Sequence, residues 1–335
     1  MNAWLCVVLA LCARPAGPAP PVPPPAVLAQ AETAAAPQAG TGLPPEAAGD
    51  LPQATPSAAR SDAPPPELPP QPGPATPPVA AAETPQHEVP AWRRNAVPVA
   101  AAEGHPAVAI MIDDMGMNAA QTARAVALPA PVTLAWLPYA PHVAMQAATA
   151  GLHGHETMLH MPMEAIGRLY PGPDALRTWL PEETNLAYLR AALDSLPSAV
   201  GLNQHEGSVA SLSVPLMDSV MAELKLRGLA FVDSLTIPHS VALRRAQAAG
   251  LPAVARDVFL DNDPSPAAIR ARLAEMEAIA RHYGHAIAIG HPRASTIDAL
   301  EHYLPTLAAR GFVQWPVSAA IAADNRVQIS EAPAR

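Results

Sequence analysis

The chain has 335 residues and a net charge of −9, with 29 acidic residues against 20 Lys and Arg and no dense basic cluster. Nucleic acid is thereby excluded as the main partner, because neutralising a phosphate backbone needs clustered cations. The only two cysteines, Cys6 and Cys12, lie at the start, so the body offers no disulfide, thiolate nucleophile or sulfur-ligated zinc.

Ala3 to Ala13 is an apolar run of 11 residues. That is too short to span a bilayer and about the length of a signal-peptide core. Val27-Leu28-Ala29 supplies a small-residue cleavage site, so residues 1–29 are read as a leader. The reading makes the protein an exported one of the periplasm or cell envelope, with a cytoplasmic protein as the alternative. No Lys or Arg precedes the run, and Leu9-Ala-Leu-Cys12 matches a lipoprotein processing box only loosely. Of the 43 prolines, 24 fall in the first 100 residues, mixed with Ala, Gly, Gln and Glu. Such a stretch buries too little surface to offset its ordering entropy, and residues 30–104 are expected to be a disordered, extended Pro/Ala-rich linker. A docking segment for an envelope protein partner is its alternative role.

Residues 105–323 then form one block, about the size of a single well-cored domain, followed by a tail over 324–335. Continuous apolar runs of the kind buried on both faces predict strands over 107–112, 132–137, 156–159, 199–203, 229–232, 255–260, 286–289 and 312–317. Helices are predicted between them, over 140–150, 182–196, 216–227, 240–249, 266–282 and 296–310. Pro181-Glu-Glu opens one, and Gly228, Gly250, Gly284 and Gly311 each follow a helix end, where a left-handed cap suits glycine. The repeated helix–Gly–strand unit indicates an α/β protein of parallel strands whose seven or eight units can close into a barrel. A longer stretch, Met163 to Leu180, interrupts the alternation and is a candidate lid or substrate wall.

Five strands end in a polar group: Asp113-Asp114, His160, His205, Asp233 and His291. Parallel strands bring their C-terminal ends to one face, so the five converge. Each alone has an ordinary structural role, as a helix cap or a buried hydrogen-bonded imidazole. Together they suit a metal site, one carboxylate of the pair ligating a divalent cation and its neighbour acting as a base. His155, where the chain begins its strand, is expected to be structural, and His160 at the far end is the better ligand. Asn203 and Gln204 can fix the His205 tautomer. Asp233 can orient an imidazole or bind substrate hydroxyls, while Asp261 and Asp263 are expected to make turn contacts around Pro264. With no sulfur ligand, zinc, cobalt, manganese and iron are all acceptable, and a flanking base and acid suit hydrolysis.

At these residues the chain resembles the divergent polysaccharide deacetylase family, a branch of the NodB-homology carbohydrate esterases. The resemblance covers 108–318 and rests on Ile112-Asp-Asp-Met-Gly116, the stretch 132–142, Gly154-His-Glu-Thr-Met-Leu-His-Met-Pro-Met163, Val200-Gly-Leu-Asn-Gln-His-Glu-Gly-Ser208, Phe231-Val-Asp-Ser234, the stretch 257–262 and Ala286-Ile-Ala-Ile-Gly-His-Pro292. It implies a distorted (β/α) barrel of about seven strands, with Asp113 as catalytic base and Asp114, His160 and His205 as ligands of one divalent metal, usually zinc. His291 resembles the general acid, oriented by a carboxylate such as Asp233. Where better-known deacetylases carry a second ligand histidine this chain has Glu164, and Glu206 replaces a usual Met, adding a further candidate ligand. The implied substrate is an N-acetylated envelope polysaccharide such as peptidoglycan. A glycan-binding or scaffolding module that retains the fold without activity is the competing expectation, and hydrolysis of another amide or ester is a third.

Overall fold

The computed structural model describes residues 89–331. The leader expected over 1–29, the linker as far as residue 88 and residues 332–335 lie outside the described residues. In chain order the elements are α1 (Ala91–Arg94), β1 (Ala107–Met115), α2 (Ala119–Val126), β2 (Thr133–Trp136), α3 (Val143–Leu152), β3 (Glu156–Met163), α4 (Glu182–Asp194), β4 (Gly201–Glu206) and α5 (Val214–Leu226). There follow β5 (Ala230–Asp233), α6 (Ala242–Ala248), β6 (Ala253–Ala255), β7 (Val258–Phe259), α7 (Pro266–Tyr283), β8 (His285–Gly290), α8 (Ala294–Tyr303), β9 (Val313–Trp315) and α9 (Val317–Glu331).

All strand pairs are parallel, in the order β6-β5-β4-β3-β2-β1-β8-β7. The run expected as one strand over 255–260 is therefore two short ones, separated by Arg256 and Asp257. The break has a physical reason. The Arg256 N–H donates to Asp233 of β5, while that of Asp257 donates to Ile287 of β8, so this segment steps from one edge of the sheet to the other. One covalent step thus brings the two edges together, and the result is the distorted (β/α) barrel. β9 pairs with residues 107–109 of β1, below the stretch that pairs with β2.

Side chains alternate across each strand. Val108, Ile110 and Ile112 face the helices with Leu134, Leu159 and Phe231, while Ala107, Ala109 and Met111 face the interior with Ala135, Met158 and Val232. The interior set is small in places because two other segments share the space. Trp92 and α9, through Val317, Ala320 and Ile321, pack against it. Thr133 Oγ1 accepts from the Val317 N–H (2.9 Å) and Glu156 Oε1 from the Ser318 N–H (3.1 Å), which satisfies donors left free at the start of α9. Packing therefore begins at Ala91 rather than near 105, and α9 continues past 323 to Glu331.

The helices stop and start largely as their punctuation requires. Ser213 caps α5 and Ser265 caps α7, each with proline in the first turn. The four glycines expected as left-handed caps all have positive φ, between 65° and 93°. α8 ends at Tyr303 and gives way to two short 3₁₀ turns, at Leu304–Thr306 and Ala308–Arg310, where one longer helix was expected.

Candidate active site and metal centre

Neighbouring residues in a strand point to opposite faces, so Asp113 and Asp114 could not both face one cavity in a regular β1. Asp113 follows the inward series of 107, 109 and 111, and Asp114 would turn toward the helices. The strand avoids this with a bulge. Residues 112 to 115 of β1 span only 134 to 136 of β2, and Asp114 adopts φ +55°. Gly116, at φ +100°, then takes the chain so close to Ala140 that a Cβ would lie 2.6 Å from the alanine's own. Both carboxylates thereby line one cavity of about 440 Å³ with His160, His205 and His291.

Within it, Asp114 Oδ1, His160 Nε2 and His205 Nδ1 converge. Oδ1 lies 3.3 Å from His160 Nε2 and 2.8 Å from His205 Nδ1, and the two ring nitrogens are 3.2 Å apart. Asp114 Oδ1 is buried, yet no donor reaches it in hydrogen-bonding geometry. Asn203 explains what the histidine presents. Its amide nitrogen donates to Asp113 Oδ1 (2.9 Å) and Ser234 Oγ (3.1 Å), so its carbonyl is left to accept from His160 Nδ1 (3.0 Å). A neutral His160 therefore turns a bare Nε2 lone pair toward Asp114. Three potential ligand atoms converging in this way fit a cation, and an Asp/His/His set with an open side suits a catalytic divalent metal.

The groups also shift one another's affinity for protons. Burial pushes Asp114 up, but the two adjacent imidazoles outweigh it and hold the carboxyl well below the usual range. Asp113, buried completely, is raised by that burial despite His160, His291 and the Asn203 amide. For His160, burial favours the neutral ring, yet the paired carboxylates raise it above its ordinary value.

His291 lies across the cavity, its Nε2 4.0 Å from Asp114 Oδ2. Its orientation comes from Asp261, not Asp233. Asp261 Oδ1 lies 2.9 Å from His291 Nδ1, and Oδ2 accepts from the His291 backbone N–H (2.7 Å) and Thr296 Oγ1 (2.8 Å). Burial lowers the imidazole, but Asp261 and the site carboxylates raise it more. Asp233 sits instead two residues beyond Phe231, on the helix-facing side of β5. Its oxygens accept from Gln204 Nε2, the Leu235 N–H, Ser240 Oγ and the Leu243 N–H, so it fastens β4 and β5 to the chain leading into α6. The expectation that Asp261 makes only turn contacts is corrected with it. Asp263 does make one, to the Ser265 N–H.

Glu164 is also accounted for. Its Oε2 accepts from the Thr178 N–H and Oγ1, both at 2.6 Å, and its carbonyl from the Val209 and Ala210 N–H groups. It stitches the 163–180 segment to the barrel and is not part of the triad. Glu206, at φ +57°, lines the cavity but stands outside the convergent set. His155 is structural as expected: its Nδ1 accepts from the Val132 N–H and its Nε2 donates to the Val126 carbonyl. Arg256 and Arg293 also line the cavity and were not anticipated.

The family model for divergent polysaccharide deacetylases matches residues 110–321. The chain belongs to that family. YibQ of Escherichia coli K12, an uncharacterised protein, is 34% identical over 222 residues, which is 64% of this chain and 70% of YibQ. An uncharacterised protein of Haemophilus influenzae is 32% identical over 200 residues, 60% of this chain and 71% of its own. Among solved structures, the uncharacterised protein Atu2773 of Agrobacterium tumefaciens C58 superposes with a TM-score of 0.67 at 27% identity, covering 69% of this chain and 95% of that one. The matched region of this family member contains the bulged Asp pair, both candidate ligand histidines and the Asp261–His291 pair.

Proposed function

We propose that this protein is a metal-dependent deacetylase that hydrolyses acetyl amides or esters on an envelope polysaccharide such as peptidoglycan. The observation that carries the reading is the triad of Asp114, His160 and His205, flanked by a carboxylate and an imidazole. Asp113 Oδ2 lies 3.6 Å from His160 Nε2, and His291 stands on the other side of Asp114. A glycan-binding module without activity has no use for a full set of base, ligands and acid.

Held by the triad, a divalent cation, zinc as the family resemblance implies, would supply Lewis-acid polarisation of the acyl carbonyl and of a water molecule. Asp113 would accept the proton of the attacking water, its raised affinity for protons suiting it to the task. Asn203 holds one Asp113 oxygen, which leaves the other directed at the reacting atoms. Water oxygen bonds to the acyl carbon and the carbon–nitrogen or carbon–oxygen bond breaks. His291, with Asp261 fixing Nδ1, would deliver the Nε2 proton to the leaving amine or hydroxyl.

Export fits an envelope substrate, and it rests on the apolar run and cleavage site read near the start. Zinc-loaded full-length protein incubated with N-acetylated glycan should release acetate, and His291→Ala should lower kcat by about 10²–10⁴-fold. Full metal loading without acetate release from any N- or O-acetylated glycan would favour the binding module instead.

A further inference from the structure

The cavity has a cationic wall that the proposed hydrolysis leaves unused. Arg256 and Arg293 line it together with the metal triad and His291. Among the described residues neither guanidinium has an ion pair. Arg256 donates to the Ser234 carbonyl (2.8 Å) and the Leu235 carbonyl (3.1 Å), and Arg293 to the Asp261 carbonyl (2.6 Å). Each side chain spends part of its five-donor fork on neutral backbone and keeps the rest. Arg256 is half-buried, and burial depresses its proton affinity by more than the Asp113, Asp233 and Asp257 carboxylates raise it. A guanidinium desolvated in this way regains most from an anion that takes two parallel N–H donors.

The position of the pair is as informative as its charge. Arg256 lies over the Phe259 ring at 4.9 Å, and Phe259 packs edge-on against His291, centroids 5.5 Å apart. Arg293 is two residues from His291 and bonds the carbonyl of Asp261, which orients that imidazole. Both cations therefore stand on the acid side of the cavity. In the proposed reaction the acid protonates the leaving group, so that is the side on which the leaving sugar would lie. The acetyl group, by contrast, would be turned toward Asp113 and Asp114.

We infer that the sugar released by this site carries an oxyanion, a carboxylate or a phosphate, and that Arg256 and Arg293 bind it. This rests on the deacetylase reading only for the assignment of the leaving side. The net charge of −9 gives no long-range attraction toward an anionic glycan, so recognition is confined to this wall, whose field is local and little screened inside the cavity.

The test is calorimetry on the full-length protein with three probes: N-acetylglucosamine, N-acetylmuramic acid and N-acetylglucosamine 6-phosphate. At least one anionic probe should bind about tenfold more tightly than the neutral sugar, as expected of a charge-assisted bidentate contact. Preference for the muramic acid alone identifies a carboxylate, preference for the phosphate alone identifies a phosphate, and preference for both identifies the shared oxyanion. The Arg256→Gln/Arg293→Gln double variant should lose the preference, and Arg256→Lys/Arg293→Lys should restore part of it. Equal binding of all three probes, including binding of none, overturns the inference, as does a preference that survives in the glutamine double variant. Acetate release from the same probes is scored separately. Selective binding by zinc-loaded protein that releases no acetate from these probes or from any N- or O-acetylated glycan would sink the deacetylase reading and leave the anion site standing.

Discussion

In the proposed reaction Asp261 and Asn203 would act by fixing protons rather than by touching the acyl group. Replacing Asp261 by Asn removes the nearest negative charge from His291, whose affinity for protons then falls. A general acid must be protonated to work, so the basic limb of the kcat/KM profile should move to lower pH in Asp261→Asn. A profile with an unmoved limb would show that Asp261 is merely structural. Asn203→Leu should weaken metal binding by about 10–100-fold, because His160 loses the acceptor that fixes its tautomer. Competition with a chelator reads this directly, and unchanged affinity would remove Asn203 from the account.

At this scale the candidate site was largely legible, since Asp113, Asp114, His160, His205 and His291 all end strands. The exchange of Asp233 for Asp261 is instructive, because period-two alternation alone distinguishes them. Phe231 is helix-facing, so Asp233 is too, whereas Asp261 follows helix-facing Leu260 and returns to the cavity. The same rule by itself would have separated Asp113 from Asp114. Only the bulge, set by register against β2, brings the two carboxylates together. Asn203 was read as a tautomer-fixing amide for His205, yet it serves His160 across the β3–β4 pair, which again depends on register.

Among the elements, α9 and the Ala91–Arg94 turn escaped the sequence reading. Alternation reports which side of a strand is apolar but not what fills the space beyond it. The small residues Ala107, Ala109 and Ala135 read as strand, and nothing in their spacing marks the room they leave for a helix. The start of α9 is tied to Glu156, which is fully buried and whose Oε2 has no partner. Burial raises this carboxyl above its ordinary value, and the bonds from Ser318 and Thr133 offset that only in part. The folded state therefore binds the proton more tightly than the unfolded chain. The stability this group contributes is fully present below its unfolded value and is lost as pH rises through the folded one. Glu156→Gln keeps the acceptor without the charge, so its urea stability relative to the parent should improve as pH rises above the ordinary carboxylate range. A relative loss as pH rises would show that the barrel needs the ionised form.

For the whole molecule, the repeated helix–Gly–strand pattern gave the barrel and its parallel sheet, because strands buried on both faces read as unbroken apolar runs. It could not show how the ring closes, since the step from β6 to β7 is made by two residues, Arg256 and Asp257, inside what reads as a single strand, and these bond to β5 and β8. That step also carries Arg256 into the cavity, so closing the barrel and placing a cation in the same cavity as His291 are one structural event. Since the three potential ligand atoms converge only in the folded chain, the proposed metal binding would be linked to stability. A metal held at 100 times its Kd would add about 2.7 kcal/mol and raise Tm. Zinc should raise the Tm of the parent but not of Asp114→Ala, and an equal rise in both would mean that zinc acts elsewhere.

The most direct test of the account is the amount of divalent metal bound per chain after dialysis of the full-length protein against trace zinc, compared with Asp114→Ala and His205→Ala. The account predicts close to one equivalent in the parent, lost in both variants while their folding is retained. A parent that binds no metal, or variants that bind as much as the parent, would contradict the metal centre and the hydrolysis built on it.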